Sequence, residues 1–263
     1  MELDKQDILR SFVSMNSDFF EEIDEDDKMI FSYCKNNSEI WWNFALLKKS
    51  INSEDIKLID NFFYSRNRSP TIYLSDEDTF ENSINLILKE GYKLSSKDSW
   101  MFWEDEVPEI NDKDIIEVQS EEDFEEWINT FIKSYPKDDP KNPYGDQSEF
   151  AEILKEKWKE GKIKKDKYFL AFKENFPVAV GILTNYDNKG YISGIGSIPC
   201  VRGKGFGKKI SLYCVKKSFE QGNKIHFLAT EKGDYPFEFY KRIGFTPKFT
   251  ASYYTKNKLL FLQ

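Results

Sequence analysis

The sequence of 263 residues has one histidine, His226, and three widely spaced cysteines. A single histidine nearly excludes a His-based metal site and a Ser-His-Asp triad, so we predict no metal site. The cysteines form no C-x-x-C motif and are odd in number, which favours a reduced, cytoplasmic protein. No apolar run approaches the roughly 20 residues that span a bilayer, and no basic-then-apolar signal pattern opens the chain. We therefore expect no membrane partner.

The charge of the chain is distributed unevenly, although the net value is −8. Residues 1–110 carry 24 acidic and 12 basic side chains, and residues 111–146 carry 11 and 4. Residues 147–263 carry 11 acidic and 22 basic side chains, a basic field that favours capture of an anionic ligand. Because these basic residues are scattered and the whole protein is acidic, a nucleic acid is not the expected partner.

Hydrophobic periodicity predicts an α/β fold with a mixed sheet and two domains. A smaller, acidic α/β domain is predicted over residues 1–110 and a second domain over 111–263, joined by an acidic linker at 104–113. In the first domain, residues 21–27 are predicted to be a solvated connection and residues 41–47 a strand. In the second, the predicted order is β-α-α-β-β-β-α-β-α-β, with a proline-containing loop at 135–146 that could face a substrate.

The two halves show an internal repeat at an offset of 153 residues. At this offset Gly91-Tyr92 falls on Gly244-Phe245 without a gap, and the neighbouring strands and helices coincide. Chance similarity between two α/β segments is the alternative explanation. The first half has Asn43–Ile51, without any glycine, where the second half has a glycine-rich turn. We therefore predict one phosphate site and one degenerate partner.

The glycine-rich turn lies between a predicted strand ending near Pro199 and a helix that runs to about residue 220. Glycine stands at 203, 205 and 207, with Arg202 before them. A strand, a basic glycine turn and a helix N-terminus together direct backbone N–H groups at a phosphate. The spacing does not fit G-x-x-x-x-G-K-[ST] or G-x-G-x-x-G, which excludes the common nucleotide loops. It fits R-x-x-G-x-G.

This R-x-x-G-x-G motif, followed by Phe239-Tyr240-Lys241-Arg242-Ile243-Gly244-Phe245, resembles the GCN5-related N-acetyltransferase (GNAT) superfamily. The resemblance covers roughly residues 114–256, and the predicted element order agrees with it. It implies a GNAT fold in the C-terminal half and a degenerate GNAT-like copy before it, as in tandem members. It also implies acetyl-coenzyme A as co-substrate. The implied cofactor-binding residues are Ser197, Ile198, Pro199, Cys200, Arg202, Gly203, Lys204, Gly205, Phe206, Gly207 and Lys208.

The implied chemistry is direct attack of an amine on the thioester, which needs a base, an oxyanion donor and an acid for the departing thiolate. The resemblance places Tyr240 as the acid and a backbone N–H near Ile198 as the oxyanion donor. Glu231 is the preferred base, with Glu149 or a chain of waters as alternatives. The sequence departs from the family at Gly233, where an asparagine is common. His226 and Cys200 are expected to be a structural histidine and a small structural residue.

The acceptor is predicted to be a primary amine of a small molecule or a peptide. Acidic loops at 120–126 and 138–146 could draw a cationic amine. The alternative function is a non-catalytic acyl-CoA-binding or protein-interaction module, which the missing asparagine and the uncertain base motivate. Either a monomer or a homodimer is compatible with the sequence.

Overall fold

A computed structural model describes residues 3–257, and these residues form seven helices and eleven strands. The helices are α1 (Lys5–Met15), α2 (Ser53–Ser65), α3 (Glu81–Lys89), α4 (Glu121–Ser134), α5 (Ser148–Lys159), α6 (Phe206–Glu220) and α7 (Tyr235–Ile243). The strands are β1 (Glu22–Glu25), β2 (Met29–Tyr33), β3 (Phe44–Leu47), β4 (Thr71–Ser75), β5 (Lys93–Trp103), β6 (Ile115–Glu117), β7 (Asp166–Lys173), β8 (Phe176–Tyr186), β9 (Lys189–Ser197), β10 (Ile225–Glu231) and β11 (Thr246–Thr255). No helix of this described part is long and apolar enough to cross a membrane.

The chain divides into two compact units, and each is built around a mixed sheet. Unit 1 contains the residues up to Ser99 and those from Phe249 onward, and unit 2 contains Trp100–Lys248. Strand β5 therefore begins in unit 1 and ends in unit 2, whereas β11 begins in unit 2 and ends in unit 1. The boundaries of these compact units do not coincide with the predicted domain boundary between residues 110 and 111. The two domains, 1–110 and 111–263, stay a prediction.

Unit 2 has the element order that the sequence predicts, β-α-α-β-β-β-α-β-α-β from β6 to β11. Its sheet order is β5-β10-β9-β8-β7-β6. Strands β6 to β9 pair antiparallel in sequence, and β9 and β10 pair parallel across α6. Helix α6 packs on this sheet with Ile210 and Cys214 fully buried. The parallel pair and its crossover helix provide the frame of the candidate site.

Unit 1 has the sheet order β1-β2-β3-β4-β11-β5. The prediction of a solvated connection at 21–27 is wrong, because Glu22–Glu25 forms β1 and pairs antiparallel with β2. Charged side chains do not prevent backbone pairing in an edge strand, where most of them remain in water. In the predicted strand at 41–47, only Phe44–Leu47 is extended, and Ile40–Trp42 is a 3-10 turn.

The internal repeat is visible in the positions of the elements. Helices α2 and α6 begin 153 residues apart, as do strands β5 and β11. Gly91 and Gly244, also 153 apart, follow α3 and α7 with φ angles of 90° and 118°. Such left-handed residues terminate helices without the steric cost that a side chain would add. The matching positions support two related halves, and a degenerate first copy stays a prediction.

Candidate active site

The candidate site lies where β9 and β10 of unit 2 cease to pair. Their parallel register joins Lys189–Tyr191 to Ile225–Phe227. Beyond this register β9 continues to Ser197 and β10 to Glu231. A β-bulge at Gly194, whose φ is 58°, shifts the register of β9 against β8. Because a bulge bends its strand, it accounts for the separation of β9 from β10. We call this gap the β9–β10 opening.

The glycine turn connects this opening to α6. A 3-10 turn, Pro199–Val201, is followed by Gly203 and Gly205 with φ angles of 78° and 87°. Gly205 is the N-cap of α6 and has no side chain to accept from the first turn, which contains no acidic residue. The N–H groups of Gly203, Gly205 and the first helical residues Phe206, Gly207 and Lys208 have no acceptor within residues 3–257. This arrangement is suited to an oxyanion such as a phosphate.

The equivalent helix of unit 1, α2, begins in the opposite way. Asn52 caps it, and the Asn52 side chain accepts hydrogen bonds from the N–H groups of Glu54 and Asp55. The Asp55 carboxylate in turn accepts from the N–H of Asn52 at 2.8 Å. A helix start whose donors are satisfied and whose first turn carries two carboxylates opposes an added anion.

Lysines and exposed residues border the turn of unit 2. Lys204 Nζ donates to the Cys200 carbonyl oxygen at 3.0 Å, and Lys208 is exposed without an ion pair in the described part of the chain. Cys200 and Pro199 are also exposed. Cys200 lies beside the turn, and its expected role as a small structural residue stays a prediction.

The direction of the backbone at the end of β9 restricts which N–H near Ile198 could serve as the oxyanion donor. The N–H of Ile198 donates to the Val178 carbonyl oxygen of β8 at 3.0 Å, so it is not available for a substrate. Because adjacent residues of a strand direct their N–H groups to opposite sides, the N–H of Ser197 faces the β9–β10 opening. The N–H of Ser197, next to Ile198, is therefore the one that a carbonyl oxygen in the opening could reach, and an oxyanion donor near Ile198 stays a prediction.

The Arg202 side chain is engaged by the protein itself, and the expected place of Arg202 among the cofactor-binding residues stays a prediction. Its guanidinium forms an ion pair with Asp139 and donates to the carbonyl oxygens of Ser134 at 2.9 Å and Ser197 at 3.3 Å. Burial lowers the pKa of Arg202 from its usual value, although an arginine stays protonated at neutral pH. These contacts leave the backbone of the turn, rather than this side chain, to meet a phosphate.

Tyr240 on α7 lies among buried side chains of the unit 2 core, including Cys214 and Leu228. Burial raises the pKa of Tyr240 well above its usual value, and the nearby Tyr144, Tyr135 and Tyr191 add to the shift. The Tyr240 hydroxyl has no hydrogen-bond partner within residues 3–257. It is not completely sealed from solvent. A protonated phenol with an unused donor is suited to donate to a departing thiolate.

The predicted base positions differ in their surroundings. Glu231 is the last residue of β10 and is half-buried, whereas Glu149 is exposed in the first turn of α5. Gly233, in the loop after β10, adopts a φ of 95°, and as a glycine it offers no side chain at this position. Glu231 thus lies beside the β9–β10 opening, and its role as a base stays a prediction.

Two tyrosines of the loop between α4 and α5 contact the opening, and sequence reasoning did not single them out. The Tyr135 hydroxyl donates to the Ile195 carbonyl oxygen of β9 at 2.9 Å. The Tyr144 hydroxyl lies 2.9 Å from Thr230 Oγ1 of β10. The loop itself was predicted to face a substrate, but its partners lie too far away in sequence for any local pattern to identify them.

His226 is a structural residue, as the sequence predicts. Its Nδ1 lies 2.7 Å from Ser218 Oγ of α6, and Asn223 Nδ2 donates to the same hydroxyl at 3.0 Å. A Cβ added at Gly190 would lie 1.9 Å from Ser218 Oγ, so the strand approaches α6 closely here. Burial lowers the pKa of His226 to about 4, which keeps the imidazole neutral at physiological pH.

Comparisons with known proteins agree with this geometry. Residues 124–245 match the model of the acetyltransferase (GNAT) family. The chain is similar in structure to a GCN5-related N-acetyltransferase from Kribbella flavida, with a TM-score of 0.69 and 17% identity over 95% of each chain. A functionally unknown conserved protein from Staphylococcus epidermidis has a TM-score of 0.66 and 16% identity, over 90% of this chain and 94% of that chain.

A third similar structure is a tandem GNAT protein from the clavulanic acid biosynthesis pathway, with a TM-score of 0.57 and 9% identity. The similarity covers 86% of this chain and 77% of that chain. A comparison with curated protein sequences gave no significant match. At such low identities the structural neighbours show a shared mixed α/β fold.

Proposed function

We propose that this chain, whose residues 124–245 match the model of the acetyltransferase (GNAT) family, is an acetyl-CoA-dependent N-acetyltransferase. In this proposal a primary amine attacks the thioester directly. The observation that supports it most is the uncapped start of α6, which lies in the same compact unit as the β9–β10 opening and the unpartnered hydroxyl of Tyr240. The phosphate-binding and proton-donating functions that the reaction needs thus occur in one unit.

For the cofactor, the backbone from Gly203 to Lys208 would hold the pyrophosphate of acetyl-CoA. The left-handed glycines direct successive N–H groups outward, and the positive end of the α6 dipole adds to their attraction for an anion. Lys204 and Lys208 would contribute charge at the rim. Because α2 is capped by its own Asn52, we expect one cofactor site per chain rather than two.

For the chemistry, the N–H of Ser197 would donate to the thioester oxygen as the amine nitrogen attacks the carbonyl carbon. The carbon–sulfur bond then breaks, and Tyr240 would donate its proton to the departing sulfur. The proton that the amine loses would pass to Glu231, directly or through water. The products would be an N-acetylated amine and free CoA.

The acceptor is proposed to be a primary amine of a small molecule or peptide. Fewer carboxylates are available to attract a cationic amine than the acidic loops of the sequence indicated. Asp139 is paired with Arg202, and Asp146 accepts from the Ser148 hydroxyl at 2.6 Å and the Ser148 N–H at 3.0 Å. These two carboxylates are used within the protein. A cationic acceptor would therefore depend on other acidic groups, such as Glu231.

The proposal is tested by release of free thiol from acetyl-CoA in the presence of cationic and neutral primary amines. We expect acetylation of at least one amine class, and a Tyr240→Phe variant should lose about 100-fold or more in kcat while binding acetyl-CoA normally. A Tyr235→Phe variant, which changes an exposed tyrosine at the start of the same helix, is the matched control. Unchanged turnover in Tyr240→Phe would remove this residue from the mechanism.

Gly233 favours a second candidate, a non-catalytic acyl-CoA-binding module, because this position of the loop after β10 offers no side chain to contact the pantetheine or the acceptor. In that case calorimetry would show acetyl-CoA binding, while no amine would increase thiol release over the background of hydrolysis. Acetylation of any amine that depends on Tyr240 would exclude this candidate.

A further inference from the structure

The loop between α4 and α5 contacts several elements around the β9–β10 opening. We call residues 135–147 the strap. Its Tyr135 hydroxyl donates to a β9 carbonyl, and its Tyr144 hydroxyl meets the Thr230 side chain of β10. Lys141 Nζ lies 5.4 Å from the ring centroid of Tyr235 at the start of α7. The strap thus contacts both strands of the opening and the helix that carries Tyr240.

Arg202 joins the strap to the glycine turn. Its guanidinium pairs with Asp139 of the strap and donates to the Ser134 carbonyl oxygen, immediately before the strap. Its Nε donates to the Ser197 carbonyl oxygen at the end of β9. One planar group therefore holds the strap, the end of α4 and the end of β9 in a single arrangement, which the fixed fork of an arginine allows and a lysine does not.

The Arg202–Asp139 pair is largely withdrawn from water. The exposed fractions are 17% for the Arg202 side chain and 12% for the Asp139 side chain. Removing one partner of such a pair leaves the other charge poorly solvated and unbalanced, so the local structure rearranges to solvate it. The strap is the segment free to rearrange, because it is a loop, whereas Arg202 is attached to the start of α6.

The strap borders the reacting end of the site through Tyr135 and Tyr144. Tyr135 and Tyr144 are among the tyrosines that perturb Tyr240 electrostatically. A displaced strap should therefore affect the position of the acceptor more than the binding of the cofactor.

We infer that Arg202 and Asp139 are positioning residues for the amine acceptor, and that this ion pair holds the strap over the β9–β10 opening. This inference rests on the proposed function. It assigns to the arginine of the R-x-x-G-x-G motif a role toward the acceptor side, while the backbone of the same motif serves the phosphates.

The test compares Asp139→Asn with Asp138→Asn, a matched control on an exposed neighbouring residue. For the best amine from the panel, Asp139→Asn should raise the acceptor KM about 10- to 100-fold, the size of loss that a misplacement of about 1 Å causes. The Kd for acetyl-CoA should stay within about twofold, and Asp138→Asn should change neither quantity. Arg202→Gln combined with Asp139→Asn should cost no more than either change alone, because both remove one interaction.

An equal loss of acetyl-CoA affinity in Asp139→Asn would overturn the inference, as would an unchanged acceptor KM. If the wild-type protein acetylates no amine, the proposed function fails, and amide hydrogen exchange then decides about the strap. In that measurement Asp139→Asn should speed exchange in residues 136–147 and leave 206–215 unchanged. Uniformly faster exchange, or no change in the strap, would refute the role of the ion pair.

Discussion

The start of α6 allows a prediction in which ligand binding and stability change in opposite directions. Lys208 is the third residue of α6, and the equivalent residue of α2 is Asp55, which closes the capping box there. We propose the substitution Lys208→Asp. It replaces a positive charge by a negative one at the helix end that should hold the pyrophosphate.

The magnitude follows from the charge that the substitution changes. One pair of unit charges 4 Å apart interacts by about 1 kcal/mol in bulk water, and the substitution alters the interaction with each phosphate charge by two units. With screening by salt, we expect acetyl-CoA to bind about 10- to 100-fold more weakly. The folded protein should be as stable or slightly more stable, since a carboxylate in the first turn of a helix is favourable.

The assay is calorimetric titration with acetyl-CoA at low and at high ionic strength, together with thermal unfolding. Lys224→Asp is the control: it makes the same charge change at an exposed site after the other end of α6, at least about 20 Å along the helix and well beyond a Debye length. The loss in Lys208→Asp should shrink as salt is added, and Lys224→Asp should show little loss. Equal affinities in the wild type and Lys208→Asp at low salt would refute phosphate binding at this helix end.

Three other predictions follow from the two helix starts and the buried histidine. Gly203→Ala should cost about 1 kcal/mol of folding stability, because alanine is strained at a φ of 78° even though its Cβ would meet no atom within 4 Å. Chemical denaturation measures this loss, and an unchanged stability would contradict the prediction. Titration should give one acetyl-CoA per chain, since α2 is capped by Asn52, and a stoichiometry of two would contradict that reading. The pKa of His226 is about 4 in the folded protein against about 6.5 when unfolded, so the unfolded state binds the proton first as pH falls. Stability should therefore decrease by up to about 3 kcal/mol between pH 6.5 and pH 4, and a His226→Gln variant, measured in the same denaturant series, should lose this part of the decrease.

Much of the fold could be predicted from the sequence because its signals are local. The glycines at 203 and 205 adopt the left-handed conformation that such a turn requires, and β5 spans the predicted residues 93–103. The element order of unit 2 agrees with the prediction throughout. The strand at 22–25 was missed because acidic side chains obscure a strand whose pairing is made by the backbone.

The candidate site was predictable to a smaller extent. The sequence alone determined the glycine turn and the start of the helix that follows it, since both depend on residues that are neighbours in the chain. Only the tertiary structure decided that the Ile198 N–H is used by β8 and that Arg202 binds Asp139, 63 positions earlier in the chain. It also decided that β5 and β11 each extend from one compact unit into the other. Sheet pairing and buried ion pairs join residues that are distant in sequence, and no local pattern encodes which partners meet.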